Sequence, residues 1–107
     1  MRCVVTFRLK PGVSADEYLE WFRRVNVPAV QKVPSITSYR VWRIGEVVDG
    51  TAGFEFLEEM DITDRAVFER DLGEVPEMAA MVDEWYARVE EPVIAYADEV
   101  EQGSPSG

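Results

Sequence analysis

The chain contains no histidine and a single thiol, Cys3. Proton transfer within it therefore falls to carboxylates, tyrosines, arginines or asparagines. A Ser-His-Asp triad, a zinc site built from three or four soft ligands and a haem with a proximal histidine are all excluded. No Gly-rich phosphate loop or dinucleotide fingerprint is present either, so neither metal nor cofactor is expected. Among the remaining residue types, a carboxylate set between aromatics is the one to look for. Removal from water disfavours its charged form and brings its pKa towards neutrality. Glu55, between Phe54 and Phe56, fits that description and is the first candidate for a general acid or base. The competing reading is a structural ion pair with Arg40 or Arg43, of small net stabilisation.

Glu55 lies within Ser35 to Glu59, SITSYRVWRIGEVVDGTAGFEFLEE, and this stretch must position it. It reads as two strands joined at Val48-Asp49-Gly50-Thr51, with Asp-Gly as the hairpin signal. With Asp49 and Gly50 as the central turn residues, Trp42 faces Leu57, Ile44 faces Glu55 and Arg40 faces Glu59, while Val41 faces Glu58 and Arg43 faces Phe56. Both faces mix charge with large apolar groups, which predicts helices against one face and a polar-studded cavity against the other. Arg40, Trp42, Glu55 and Leu57 are assigned to the cavity, and Tyr39, Val41, Phe54 and Phe56 to the helices. Glu58 then stands at the strand end as a lip residue or as the partner of an arginine. A bulge near Gly45 or Gly53 would exchange the two faces.

The first strand, RCVVTFRL, puts Cys3, Val5, Phe7 and Leu9 on an apolar side. Val4, Thr6 and Arg8 fall on the other, where Thr6 and Arg8 could touch a ligand. Ser14-Ala15-Asp16-Glu17 is a capping box opening a helix with Tyr18, Phe22, Val25 and Ala29 on one stripe. Trp21 is off-centre, a core edge or subunit contact first and a ligand wall second. Pro28 should bend or restart this helix after Val25-Asn26 and aim Asn26 at something particular. A second helix, capped by Thr63 or Asp61, ends at Gly73, and a third runs from about Glu77 to Val89. Pro92 opens the last strand, VIAYADEV, where Tyr96 could donate a hydrogen bond to substrate or simply pack.

The order β-α-β-β-α-β defines an α+β class of ferredoxin-like type: four antiparallel strands with helices on one face. The uncovered face is too apolar for water, and stacking two sheets across a two-fold axis would bury it, so a homodimeric barrel is expected. One domain is expected over residues 1–101, with a tail of loop composition over 102–107. The formal charge of −10 argues against nucleic acid and anionic membrane surfaces as partners. A lone cysteine in an apolar run, no long apolar span and no leader-like N-terminus indicate a cytoplasmic location.

Two runs, FRLKPGVSADEYLEWFRRVNVPAVQKVPSITSYRV and FEFLEEMDITD, carry a resemblance to the dimeric α+β barrel superfamily, which includes antibiotic-biosynthesis monooxygenases and EthD-type proteins. More narrowly the chain resembles RedY-like (HapK) proteins of bacterial pigment and indole or pyrrole alkaloid pathways. The superfamily's H-x-P element corresponds to Asn26-Val27-Pro28, so an asparagine stands where relatives often carry a histidine. Asn can orient a carbonyl or hydroxyl but cannot shuttle a proton near neutral pH. The resemblance implies a cofactor-independent enzyme promoting condensation or cyclisation of a small aromatic intermediate, with Glu55 moving protons and Asn26 holding an oxygen. Arg40 and Tyr96 complete that catalytic set, with Thr6, Arg8, Trp21, Trp42, Leu57 and Glu58 around the substrate. Cofactor-free oxygenation and non-catalytic binding by a small dimer are the alternatives.

Overall fold

In the computed structural model, which describes residues 1–106, a single antiparallel sheet has the strand order β2-β3-β1-β4. Its strands are β1 (Arg2–Leu9), β2 (Ile36–Arg43), β3 (Phe56–Ile62) and β4 (Val89–Ala97). Helices cover one face, which makes this the expected ferredoxin-like arrangement. Cys3, Val5, Phe7 and Leu9 alternate along β1 as buried residues because successive side chains point to opposite faces. Phe7 is the centre of the core, with ring centroids of Tyr18, Phe56 and Trp85 at 5.3, 5.5 and 5.3 Å.

The first helical segment departs from a simple break. α1 (Ala15–Trp21) is capped by the Ser14 hydroxyl, which accepts from the Glu17 amide at 3.1 Å. It then widens into a π-helical turn, Phe22–Asn26, before α2 (Val27–Val30). Pro28 cannot donate to the preceding turn, and the i to i+5 bond from Val27 N–H to Phe22 C=O absorbs that defect without interrupting the helix. The extra residue in the turn rotates Asn26 inward, where it is buried.

α3 (Arg65–Glu74) is capped by Asp64, not by Thr63 or Asp61, and passes one residue beyond Gly73. α4 is Pro76–Tyr86, because Pro76 suits the first helical turn and Val89 is taken by the sheet. β4 therefore begins three residues before Pro92. It is an edge strand, so the missing proline N–H breaks no ladder. Glu91 adopts φ 52°, and the register against β1 shifts between Thr6 and Arg8. Beyond that bulge Ile94 lies opposite Val5 and Tyr96 opposite Cys3, both on the helix side.

The hairpin register is the expected one: Arg40 faces Glu59, Val41 faces Glu58, Trp42 faces Leu57 and Arg43 faces Phe56. Pairing ends where Ile44 N–H donates to Glu55 C=O at 2.8 Å, however, so residues 45–54 form a loop instead of a tight Asp49-Gly50 turn. Arg8 holds that loop away from the ladder, donating to the carbonyls of Gly53 and Ala52 at 3.2 and 2.9 Å. The irregularity between β2 and β3 falls between Ile36 and Ser38, so the faces are not exchanged near Gly45 or Gly53. After Ala97, residues 98–106 form no helix or strand, and Gly107, part of the expected tail, lies outside the described residues. No helix among the described residues is long and apolar enough to cross a membrane.

Candidate active site between sheet and helices

A cavity of about 180 Å³ lies on the helix-covered side of the sheet, not on the open side assigned to it from sequence. Its floor is Cys3, Val5, Glu58 and Met60 from the two central strands, with Ile36 and Ile94 from the edges. Phe68 and Leu72 of α3, and Met78, Met81 and Trp85 of α4, form the roof. These residues read as core in the sequence, because helical spacing alone does not distinguish a packed stripe from a cavity wall.

Glu58 is the unusual member. On β3 it occupies the same face as Phe56, Met60 and Ile62, and it is 5% exposed. Among the described residues no hydrogen bond or ion pair reaches its carboxylate. Burial raises its pKa to about 7, so acid and carboxylate coexist near neutrality. Its charge is felt by the groups that face it: burial and then Glu58 raise the pKa of the Cys3 thiol, and the same two causes in the same order raise that of Tyr18. Tyr18 is also an acceptor, taking the Trp85 indole N–H at 3.1 Å. A carboxylate that keeps its proton near pH 7 and gives it up at little cost is suited to general acid–base work.

Asn26 reaches the same cavity from the π-helical turn. Its amide N–H donates to the Met81 thioether at 3.3 Å, a weak acceptor, while Oδ1 is buried without a partner. Asn26 therefore has unspent accepting capacity, and of the carbonyl and hydroxyl groups it could orient, the hydroxyl suits this oxygen. Tyr96 enters from β4 with its hydroxyl donating to Glu69 Oε1 at 2.8 Å. Among the described residues no lysine or arginine lines the cavity.

The fold, as distinct from the cavity, agrees with what comparison shows. The family model described as REDY-like protein HapK matches residues 1–100. The chain belongs to this family. The crystal structure of HapK from Hahella chejuensis is 24% identical, with all of each chain covered and a TM-score of 0.72. A variant of SnoaB, a cofactor-independent oxygenase from Streptomyces nogalater, is 16% identical over 92% of this chain and 93% of that one, at TM-score 0.66. A dimeric ferredoxin-like protein of unknown function from Thermobifida fusca is 16% identical over 88% and 85%, at TM-score 0.67. A sequence search of curated proteins gives no match.

Within this HapK-family fold the other site residues named from sequence lie elsewhere. Thr6, Arg40, Trp42 and Leu57 share the open face of the sheet, where Thr6 pairs with Leu57, Leu57 with Trp42 and Arg40 with Glu59. Glu55 sits at the mouth of the β2-β3 loop, its Oε1 accepting from Leu9 N–H at 3.3 Å. Arg8 is spent on loop carbonyls, with Glu91 at 3.9 Å. Trp21 is buried beneath the Arg88 guanidinium, 4.8 Å from its ring, and does not line the cavity. Only Asn26, Glu58 and Tyr96 of the sequence-derived set meet in the cavity. Glu58 moves from the lip to the interior because Phe56 faces the helices, and residues two apart on a strand share a face. The signal was present: Phe56, Glu58, Met60 and Ile62 form an i, i+2 series in which one member is charged.

Proposed function

We propose that the cavity is the active site of a small-molecule biosynthetic enzyme in which Glu58 transfers a proton on an uncharged aromatic substrate. The observation that carries this reading is an unpaired, buried carboxylate titrating near pH 7 against apolar and thioether walls. An apolar cavity of about 150 Å³ can admit a benzene-sized guest, so a single ring or a compact bicycle is the matching size. With no cation among the described lining residues, a carboxylate- or phosphate-bearing group would be left unpaired and is disfavoured. In the reaction, ionised Glu58 removes a proton from a nucleophilic N–H or C–H as its bond to a carbonyl carbon forms, and the resulting acid returns that proton to the carbonyl oxygen, giving a hydroxyl that a cyclisation keeps and a condensation loses as water. Asn26 Oδ1, which has no partner, accepts an N–H or O–H of the ring while Nδ2 stays on Met81. Holding a flexible precursor in one reactive pose contributes the rest.

Family membership supports a biosynthetic role, and the oxygenase SnoaB supplies the alternative of cofactor-free oxygen chemistry in the same fold. Glu58→Gln decides the central point: it should abolish turnover of the pathway intermediate while leaving binding intact. Wild-type turnover by Glu58→Gln would overturn the proton-transfer role, and stoichiometric oxygen uptake would favour oxygenation. We further propose that two copies pair through the open sheet face. It presents Trp42 and Val93 at 51% and 56% exposure beside Val4, Leu57 and Ala95, and a dimeric neighbour shares the fold.

A further inference from the structure

The cavity has an identifiable mouth. Of its lining residues, Ile94 and Val82 are the exposed ones, at 56% and 37%, so it opens between the edge strand β4 and the helices above. Tyr96 lines the cavity along the same edge strand, on the α3 side. Its Cα partner across the ladder is Cys3, and its ring packs edge-on against Phe68 of α3 at 6.4 Å. Its hydroxyl reaches outward to Glu69, in the one side-chain hydrogen bond between β4 and α3 among the described residues. Glu69 Oε1 is shared: Arg65 Nε, one turn earlier, donates to it at 3.0 Å, and the Arg65 guanidinium lies 4.4 Å from the centre of the Tyr96 ring. Phenol, carboxylate and guanidinium thus form a closed three-membered clamp across the gap. The hydrogen bonds from Tyr96 and then Arg65 keep the Glu69 carboxyl below its ordinary pKa, so the clamp is charged at neutral pH.

We propose that the Tyr96 ring is the gate of the cavity and that Glu69 and Arg65 are positioning residues that hold it closed over Cys3. The proposal rests on the cavity being the site where ligand binds, but not on the chemistry assigned to Glu58. Closure narrows the β4–α3 side of the mouth and limits which ring can enter. The clamp is solvent-exposed, so opening is cheap and rapid, as an access gate requires.

Cys3 supplies the measurement, because it is the only thiol and it lines the cavity behind Tyr96. Alkylation of the full-length protein by iodoacetamide, a small neutral reagent, is followed by intact mass at fixed pH. Glu69→Ala and Tyr96→Phe should each accelerate modification about three- to tenfold, the loss expected for one hydrogen bond, and the double variant should be no faster than either. The rate should depend only weakly on urea below the unfolding transition. Unchanged rates in both variants would overturn the gate. So would acceleration that scales with urea as steeply as global unfolding, since Cys3 would then be reached by loss of the fold. Neither result bears on Glu58→Gln turnover, so failure of the gate and failure of the proton-transfer reading are separable.

Discussion

Replacing Glu58 with glutamine should stabilise this protein, and the amount should depend on pH in a defined way. The ordinary glutamate value is 4.5 and burial moves Glu58 to about 7. Below pH 4.5 both folded and unfolded chains hold the proton, and burial of Glu58 costs little. Between 4.5 and 7 the unfolded chain ionises while the folded chain keeps its proton, so stability falls as pH rises. Above 7 the penalty is complete. At about 1.4 kcal/mol per pKa unit, the shift of roughly 2.5 units makes the cost near zero at pH 4, roughly 1 kcal/mol at pH 5 and roughly 3 kcal/mol at pH 8. The substituted amide retains the shape and never ionises, so the difference between wild type and Glu58→Gln should follow that curve. Urea unfolding at fixed protein concentration reads it directly. With a slope of about 1–3 kcal/mol per molar urea, the pH 8 midpoint should rise by at least about 1 M, while the pH 4 midpoints nearly coincide. A difference that stays flat from pH 4 to 8 would refute the reasoning, because the carboxylate would then titrate as it does in the unfolded chain. A variant more stable at pH 8 yet inactive is the mark of a group held in a costly environment for its chemistry.

Asn26→Leu should leave stability within about 1 kcal/mol of wild type, since it removes a buried acceptor without a partner and keeps the volume. It should raise KM for a ring bearing N–H or O–H, measured by steady-state kinetics. Glu55→Gln should turn over like wild type, because its carboxylate faces the Leu9 amide and not the cavity. Loss of activity there would return the acid–base role to Glu55. Val93→Asp puts a charge on the open sheet face, opposite Thr6, and should convert a dimer to a monomer by light scattering, with the far-UV circular dichroism spectrum unchanged.

Local pattern was enough for β1, the Ser14 cap and the β2-β3 register, though not for the start of β4, since each depends on residues near in sequence: alternation of period two, a hydroxyl three residues before an acid, and a loop that leaves the pairing sum unchanged. The inward placement of Tyr39, Val41 and Phe56 was legible for the same reason. The choice of proton carrier was not. Glu55 and Glu58 are three residues apart and on opposite faces, and sequence marked the one flanked by aromatics in the chain, Phe54 and Phe56. Burial is decided by neighbours in space: Glu58 shares its cavity with Cys3, Val5 and Met60 of the sheet and with the α4 residues Met78 and Met81, brought together from distant parts of the chain.

Tertiary structure likewise decided three features with no local signature. The bulge at Glu91, where the chain takes φ 52° between residues paired with Arg8 and Thr6, turns Tyr96 to the helix side. The π-helical turn carries Asn26 inward, although only Pro28 announced a defect. Helices α3 and α4 leave space above the sheet where sequence could show only two apolar stripes. The amino-acid order determined the fold, the helix-facing residues of β1 and β2 and the restriction to carboxylate, amide and phenol chemistry, because composition and period need no partner. Which carboxylate loses its water was settled only by packing, because desolvation is a property of the whole surrounding volume.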